Sequence, residues 1–274
     1  MGSYQKAIFI AVTFLIVAAA IAGCAKNDKI PVVEKEIDLS GYKNADIFIT
    51  PQELHDRLGQ EDILIFDANK PTDYPKGHIP GAVSLGWQSF CDTSGKIGDA
   101  NWGVTLPKEE LKEVLESYGI DNNQTIVFYS DVLNGPGADG RYVWQLRKAD
   151  LDNAKLLYGG LELWKALGYD TDTEPVQPVP ATGLVLKDYD EGYNATKDYV
   201  AQNLGQTKII DARTLKEYEG DTSRGEARGG HIPDAIHLEW KELLNKDATP
   251  KTAEEIIAIM KDKGITPEDD FVLY

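Results

Sequence analysis

The sequence predicts an α/β fold built twice, each copy a mainly parallel sheet flanked by helices. Short, continuously apolar runs such as residues 63–66 alternate with stretches of helical periodicity, the order that places a buried parallel sheet between helices. Four segments of the first half recur in the same order in the second. A proline-rich stretch containing Pro175, Pro178 and Pro180 separates the halves.

The first folded element opens at Thr50, with proline at 51 and Glu53 three residues on, the spacing of a capped helix start, and Gly59 stops it. The apolar run 63–66 follows and ends at Asp67 and Ala68. Ile209-Ile210-Asp211-Ala212 repeats Ile65-Phe66-Asp67-Ala68 at an offset of 144, and Gly230-His231-Ile232-Pro233 repeats Gly77-His78-Ile79-Pro80 at 153. Tyr118-Gly119-Ile120 and Ile126-Val127-Phe128-Tyr129 correspond to Lys263-Gly264-Ile265 and Phe271-Val272-Leu273-Tyr274 at 145, so an insertion before His231 is offset by a later deletion. Leu111, Val114, Leu115 and Tyr118 share one helical face, and Ile256, Ile259, Met260 and Lys263 take the equivalent face. The organisation expected is one domain over 45–174, a stiff, solvated linker over 175–185 and a second domain over 186–274.

With 274 residues and 42% hydrophobic content, each half can bury a core. Acidic residues outnumber basic ones 45 to 28, for a net charge of -17, which argues against nucleic acid or an anionic lipid surface as the main partner. His55, His78, His231 and His237 lack zinc-site spacings, so no metal centre is expected. Cys24 and Cys91 are the only cysteines, and if Cys24 is modified there is no internal disulfide to form.

Lys6 precedes a fifteen-residue apolar run over 7–21, long enough for a signal-peptide core and short for a membrane span. The run ends in Ile21-Ala22-Gly23-Cys24, which resembles the bacterial lipobox, whose cysteine is lipidated and becomes the mature N-terminus. This implies a signal peptide over 1–23, a tether over 24–44 and an exported protein anchored to a bacterial membrane through lipid on Cys24.

Tyr74-Pro75-Lys76-Gly77-His78-Ile79-Pro80-Gly81-Ala82-Val83 resembles the signature of the tandem rhodanese family, and Tyr158-Gly159-Gly160 with Trp164 and Gly168 resembles that family's closing strand, glycine turn and last helix. The second copy keeps Gly230-His231-Ile232-Pro233 and Ala235, with Asp234 in place of the glycine. His78 and His231, each between a glycine and an Ile-Pro turn, read as loop ties rather than catalytic groups.

The resemblance implies a sulfurtransferase. A cysteine takes sulfane sulfur from a small anionic donor, thiosulfate or mercaptopyruvate, and passes it to a thiol or cyanide, with no metal or organic cofactor. That chemistry needs a thiolate at the end of a central strand, under backbone N-H groups that converge on the sulfur. In the first copy Ser130-Asp131 follows the strand 126–129 and the loop to Arg141 is long, with Asp131 and Asp139 set to repel an anion, so this domain is expected to be non-catalytic. In the second copy the matching strand ends at Tyr274, and the nucleophile is expected just beyond it, with the second domain incomplete in this sequence. Arg213, just past Asp211-Ala212, is the candidate donor-binding residue by the same resemblance, the competing reading being a surface salt bridge with Glu217. Arg224 and Arg228 are weaker candidates. Cys91 has no evident base or cation beside it in sequence and is expected to be inert. A binding or sulfur-carrier module is the alternative function, and a phosphatase on the same fold a third.

Overall fold

The structure, a computed structural model, describes residues 37–97, 99, 102–222 and 228–274. The apolar run, Cys24 and Arg224 lie outside the described residues. The first half contains β1 (Phe48–Ile49), α1 (Pro51–Asp56), β2 (Ile63–Asp67), β3 (Val83–Ser84), α2 (Lys108–Ser117), β4 (Thr125–Tyr129), α3 (Ala138–Lys148), β5 (Ala154–Leu157) and α4 (Gly160–Ala166). The second contains α5 (Lys197–Gln202), β6 (Lys208–Asp211), α6 (Leu215–Glu219), β7 (Ile236–His237), α7 (Ala253–Asp262) and β8 (Phe271–Leu273).

The first sheet runs β1-β5-β4-β2-β3 with every pair parallel. Because side chains alternate across a strand, β2 and β4 split their apolar residues between two cores. Phe66, Ile126 and Phe128 pack under α2 and α3 with Leu111, Leu115, Tyr142 and Leu146. Ile63, Ile65, Val127 and Tyr129 pack on the other side with Leu54 of α1 and Trp164 of α4. The expected helix start is present, with Glu53 N-H donating to Thr50 Oγ1 at 3.1 Å and Pro51 in the first turn.

The second sheet runs β7-β6-β8, again parallel, and repeats the order β3-β2-β4. Its core gathers Ile210, Leu238 and Ile265 with Ile259 and Met260 of α7. Capping boxes at Thr214–Glu217 and Thr252–Glu255 start α6 and α7. Phe271 and Leu273 of β8 are exposed, whereas their counterparts on β4 are buried.

The segment 175–185 is largely solvent-exposed, as expected of a linker, but it is tied to the first domain at a few points, as a strap. Val176 N-H donates to Tyr74 Oη at 3.1 Å, Ala181 N-H to the Glu116 carbonyl at 2.8 Å, and Leu184 is 1% exposed within the first core. The strap continues past 185, where Tyr189 Oη donates to the Leu106 carbonyl and Trp144 Nε1 to the Tyr193 carbonyl. Prolines restrict the backbone, the Val176 and Ala181 N-H groups find partners on the domain surface, and Leu184 supplies the apolar anchor.

Candidate active site

Both copies carry one arrangement at the carboxyl ends of their central strands. Tyr129, the last residue of β4, places its hydroxyl where it accepts the Ile79 N-H at 2.9 Å and donates to Asp67 Oδ2 at 3.0 Å. Tyr274 accepts the Ile232 N-H at 3.0 Å, with its hydroxyl against Asp211. The histidine of each Gly-His-Ile-Pro turn lies flat on an aromatic ring, His78 on Tyr74 and His231 on Tyr218, with centroids 3.7 Å apart in both. Each Nδ1 meets the carbonyl of that same tyrosine, at 3.0 Å and 2.8 Å. The histidines therefore tie loops, as their sequence setting indicates.

The copies diverge at the residue two past each aspartate. Asn69 in the first copy offers its Oδ1 to the Asp131 N-H at 2.7 Å, bracing the loop after β4. In the second copy the equivalent residue is Arg213, which grips Asp211 with both ends of its fork, Nε to Oδ1 at 3.0 Å and Nη2 to Oδ2 at 2.6 Å. Nη2 also donates to the Gly230 carbonyl at 2.9 Å, and the guanidinium lies 5.2 Å from the Tyr274 ring centroid. The salt bridge is thus with Asp211, not Glu217, whose carboxylate accepts the Thr214 N-H and hydroxyl. Burial opposes ionisation of Asp211, but the Arg213 hydrogen bonds outweigh it and hold the carboxyl below the ordinary range. The side chain of Arg213 stays 28% exposed at the carboxyl end of β6. The neighbouring cleft of 1220 Å³ is lined by Ala212, Trp240 and Tyr274 and by Gly137 and Asp139 of the first domain, and Arg213 is not among its lining residues. A partly exposed guanidinium whose Nε and Nη2 are bonded to Asp211 and Gly230 has its remaining N-H groups to offer a small anion in charge-assisted hydrogen bonds.

The first copy's loop after β4 is built differently. Ser130 is fully buried beside Asp139, whose carboxyl burial pushes upward, and among the described residues no histidine bonds its hydroxyl. Among the described residues the hydroxyl therefore has the Asp139 carboxyl beside it but no Ser-His pairing of the kind that activates a serine nucleophile. Seven residues, 131–137, separate it from α3. Among the described residues no group of three His, Cys, Asp or Glu side chains is placed to hold a metal ion.

A rhodanese-like domain model matches residues 50–167 and again 196–274. The chain belongs to the rhodanese family. It is 30% identical over 244 residues to the thiosulfate sulfurtransferase of Pseudomonas aeruginosa, covering 86% of this chain and 84% of that protein. It is 28% identical over 248 residues to the sulfur carrier protein TtuD of Thermus thermophilus, covering 85% and 84%. In fold it resembles the anaerobic ergothioneine biosynthesis enzyme of Chlorobium limicola, with a TM-score of 0.69 at 22% identity, covering 85% of this chain and 61% of that longer one.

Two features of this rhodanese escaped its sequence. Cys91 does have a cationic neighbour: Arg141 Nη2 and Gln145 Nε2 each lie 3.4 Å from its Sγ, and Arg141 also donates to the Gly103 carbonyl. Fifty residues separate cysteine and arginine, so no local pattern could pair them. Cys91 is nonetheless buried, 5% exposed as a residue. The paired tyrosine hydroxyls were the other omission; a tyrosine at the same place in both copies, 129 and 274, was the signal.

Proposed function

We propose that the intact protein is a sulfurtransferase that moves sulfane sulfur from thiosulfate, or a related small anionic donor, to a thiol or cyanide. The observation that carries this reading is Arg213, an aspartate-gripped guanidinium at the carboxyl edge of the second sheet and beside the end of its central strand. A relative covering most of the chain carries the name thiosulfate sulfurtransferase, which supports the donor class.

The nucleophile in this proposal is a cysteine directly after Tyr274, where the first copy has Ser130 after Tyr129. Its thiolate attacks the outer sulfur of thiosulfate, whose S-S bond breaks as sulfite leaves with the electron pair. The terminal sulfur of the resulting persulfide is then attacked by cyanide or a thiolate, which takes the sulfur and returns the enzyme thiolate. Arg213 holds the sulfonate end of the donor, and the first domain walls the cleft.

The test is thiosulfate:cyanide turnover by protein that includes the residues after Tyr274. Turnover that disappears when that cysteine is replaced supports the reading; turnover that survives refutes it. The name of the Thermus relative favours a second reading, a sulfur carrier that loads one sulfur and does not turn over. Stoichiometric persulfide formation without thiocyanate release would select it.

The lipobox-like Ile21-Ala22-Gly23-Cys24 supports a further proposal, that the protein is exported and held at a bacterial membrane through lipid on Cys24. Metabolic labelling with a fatty acid should mark the wild type and not Cys24→Ala, and equal labelling would sink the idea.

A further inference from the structure

The loop after β4 presents four successive backbone N-H groups to side-chain oxygens. Asp131 N-H meets Asn69 Oδ1 at 2.7 Å, Val132 N-H meets Glu162 Oε2 at 3.1 Å, Leu133 N-H meets Glu162 Oε1 at 2.8 Å, and Asn134 N-H meets Asp131 Oδ1 at 2.9 Å. The two central N-H groups, of Val132 and Leu133, converge on one acceptor group, as the donors of an anion-binding concavity do. These two donors are taken by the two oxygens of one carboxylate, the geometry in which a small oxyanion would be held.

Glu162 reaches the loop from the first turn of α4, and the fold brings the two together closely. Leu161 N-H donates to the Ser130 carbonyl at 3.0 Å, and Gly160 has φ of +57° with no room for a side chain, since a Cβ there would come 2.6 Å from the Ser130 carbonyl oxygen. Asp131 lies against Glu162 with Lys165 nearby. Burial and then the Asp131 contact raise Glu162 to about 7, while Asp131 is held below its ordinary value, so the two carboxyls share one proton in mildly acid solution and give it up as pH passes through about 7. The loop's other side supports the second domain: Lys241 Nζ donates to the Leu133 carbonyl at 2.7 Å, and the Trp240 ring covers Gly137.

We infer that Glu162 is a built-in occupant of an anion cradle, which closes the first domain's loop to external oxyanions and holds it in shape. The class of ligand excluded is a small tetrahedral or trigonal oxyanion such as sulfate, thiosulfate or a simple carboxylate. The inference concerns the first domain alone and is tested without any activity assay, so it stands or falls separately from the sulfur-transfer reading.

Thermal unfolding of the whole chain in inorganic sulfate, with sodium chloride at matched ionic strength as control, is the experiment. Glu162→Ala empties the cradle and leaves Arg213 untouched, so any sulfate effect through Arg213 is common to variant and wild type. The alanine variant should melt lower than wild type without sulfate and gain about 2–4 °C more from sulfate well above its Kd than wild type does. Glu162→Gln, which keeps a carbonyl oxygen in the cradle, should gain no more than wild type. If Glu162→Ala does not fold alone, refolding in sulfate or formate should rescue it. A folded alanine variant that responds to sulfate no more than wild type overturns the inference, as does an unfolded one that neither anion rescues.

Discussion

Asn69 and Arg213 stand at equivalent points of the two copies, the backbone N-H of each donating to the aspartate two residues earlier, at 2.8 Å and 3.0 Å. The exchange of one for the other goes with opposite states of those aspartates. Asp67, buried and bonded by Asn69 and Tyr129, is pushed above the ordinary carboxylate range by desolvation. Asp211, gripped by Arg213, is held below it. The second copy thereby keeps an arginine-aspartate ion pair at the strand end where the first has asparagine beside its aspartate.

Removing that cation should weaken donor binding. In protein that includes the nucleophile, Arg213→Ala is expected to raise KM for thiosulfate about ten- to a hundredfold with kcat little changed, the loss of a charge-assisted pair worth about 1.5–3 kcal/mol. Arg213→Lys keeps the charge without the fork and should fall between. An unchanged KM would leave Arg213 as scaffolding for Asp211.

The carboxyl pair in the first domain makes stability depend on pH. A carboxyl raised by folding binds its proton more tightly folded than unfolded, so its stabilisation is present in acid and is lost as pH rises. For Glu162 the loss runs from the ordinary 4.5 up to about 7. Asp131 acts in the opposite sense and in more acid solution, its contribution being lost as pH falls below 3.8. The Tm of wild type minus that of Glu162→Gln should therefore decline between about pH 5 and pH 7; a flat difference would show that Glu162 does not hold the proton.

Tyr129→Phe should cost about 1–3 kcal/mol in denaturant unfolding, because it strands the buried Ile79 N-H and removes the donor to Asp67. The same change at Tyr274, which is partly exposed, should cost less, since water can reach the Ile232 N-H. Equal costs would mean that the two hydroxyls are not placed in the environments described.

Gly160→Ala should destabilise by more than about 2 kcal/mol, since it combines a left-handed backbone with a collision against Ser130. Gly183→Ala is the control: φ there is +85°, but nothing lies within 4 Å, so only the backbone penalty of about 1 kcal/mol applies. Similar Tm values for the two variants would remove steric closeness as the reason for the glycine.

The strands and the repeat were legible in the sequence because burial on both faces writes itself as uninterrupted apolar residues, as in Ile126-Val127-Phe128. The Gly-His-Ile-Pro turns were legible because only a few residue types fit such backbone. What stayed hidden was anything decided by partners far along the chain. Tyrosine at 129 counts as apolar in any periodicity, and its hydroxyl matters only because Ile79 and Asp67 arrive beside it. Glu162 reads as an ordinary acidic residue in a first helical turn, where the helix dipole alone would favour it. The prolines of the strap suggested exposure, which most of the segment shows, but nothing local marked Val176, Ala181 and Leu184 as the points where it is tied down.

The tyrosine-histidine brace is the same in both halves although only one half has the arginine, and the brace uses none of the atoms that would do chemistry. Foldability and reactivity are thus written in separate residues. On such a plan the residues that follow each brace can differ between the two copies, as Asn69 and Arg213 do, at no expense to the architecture that both copies need.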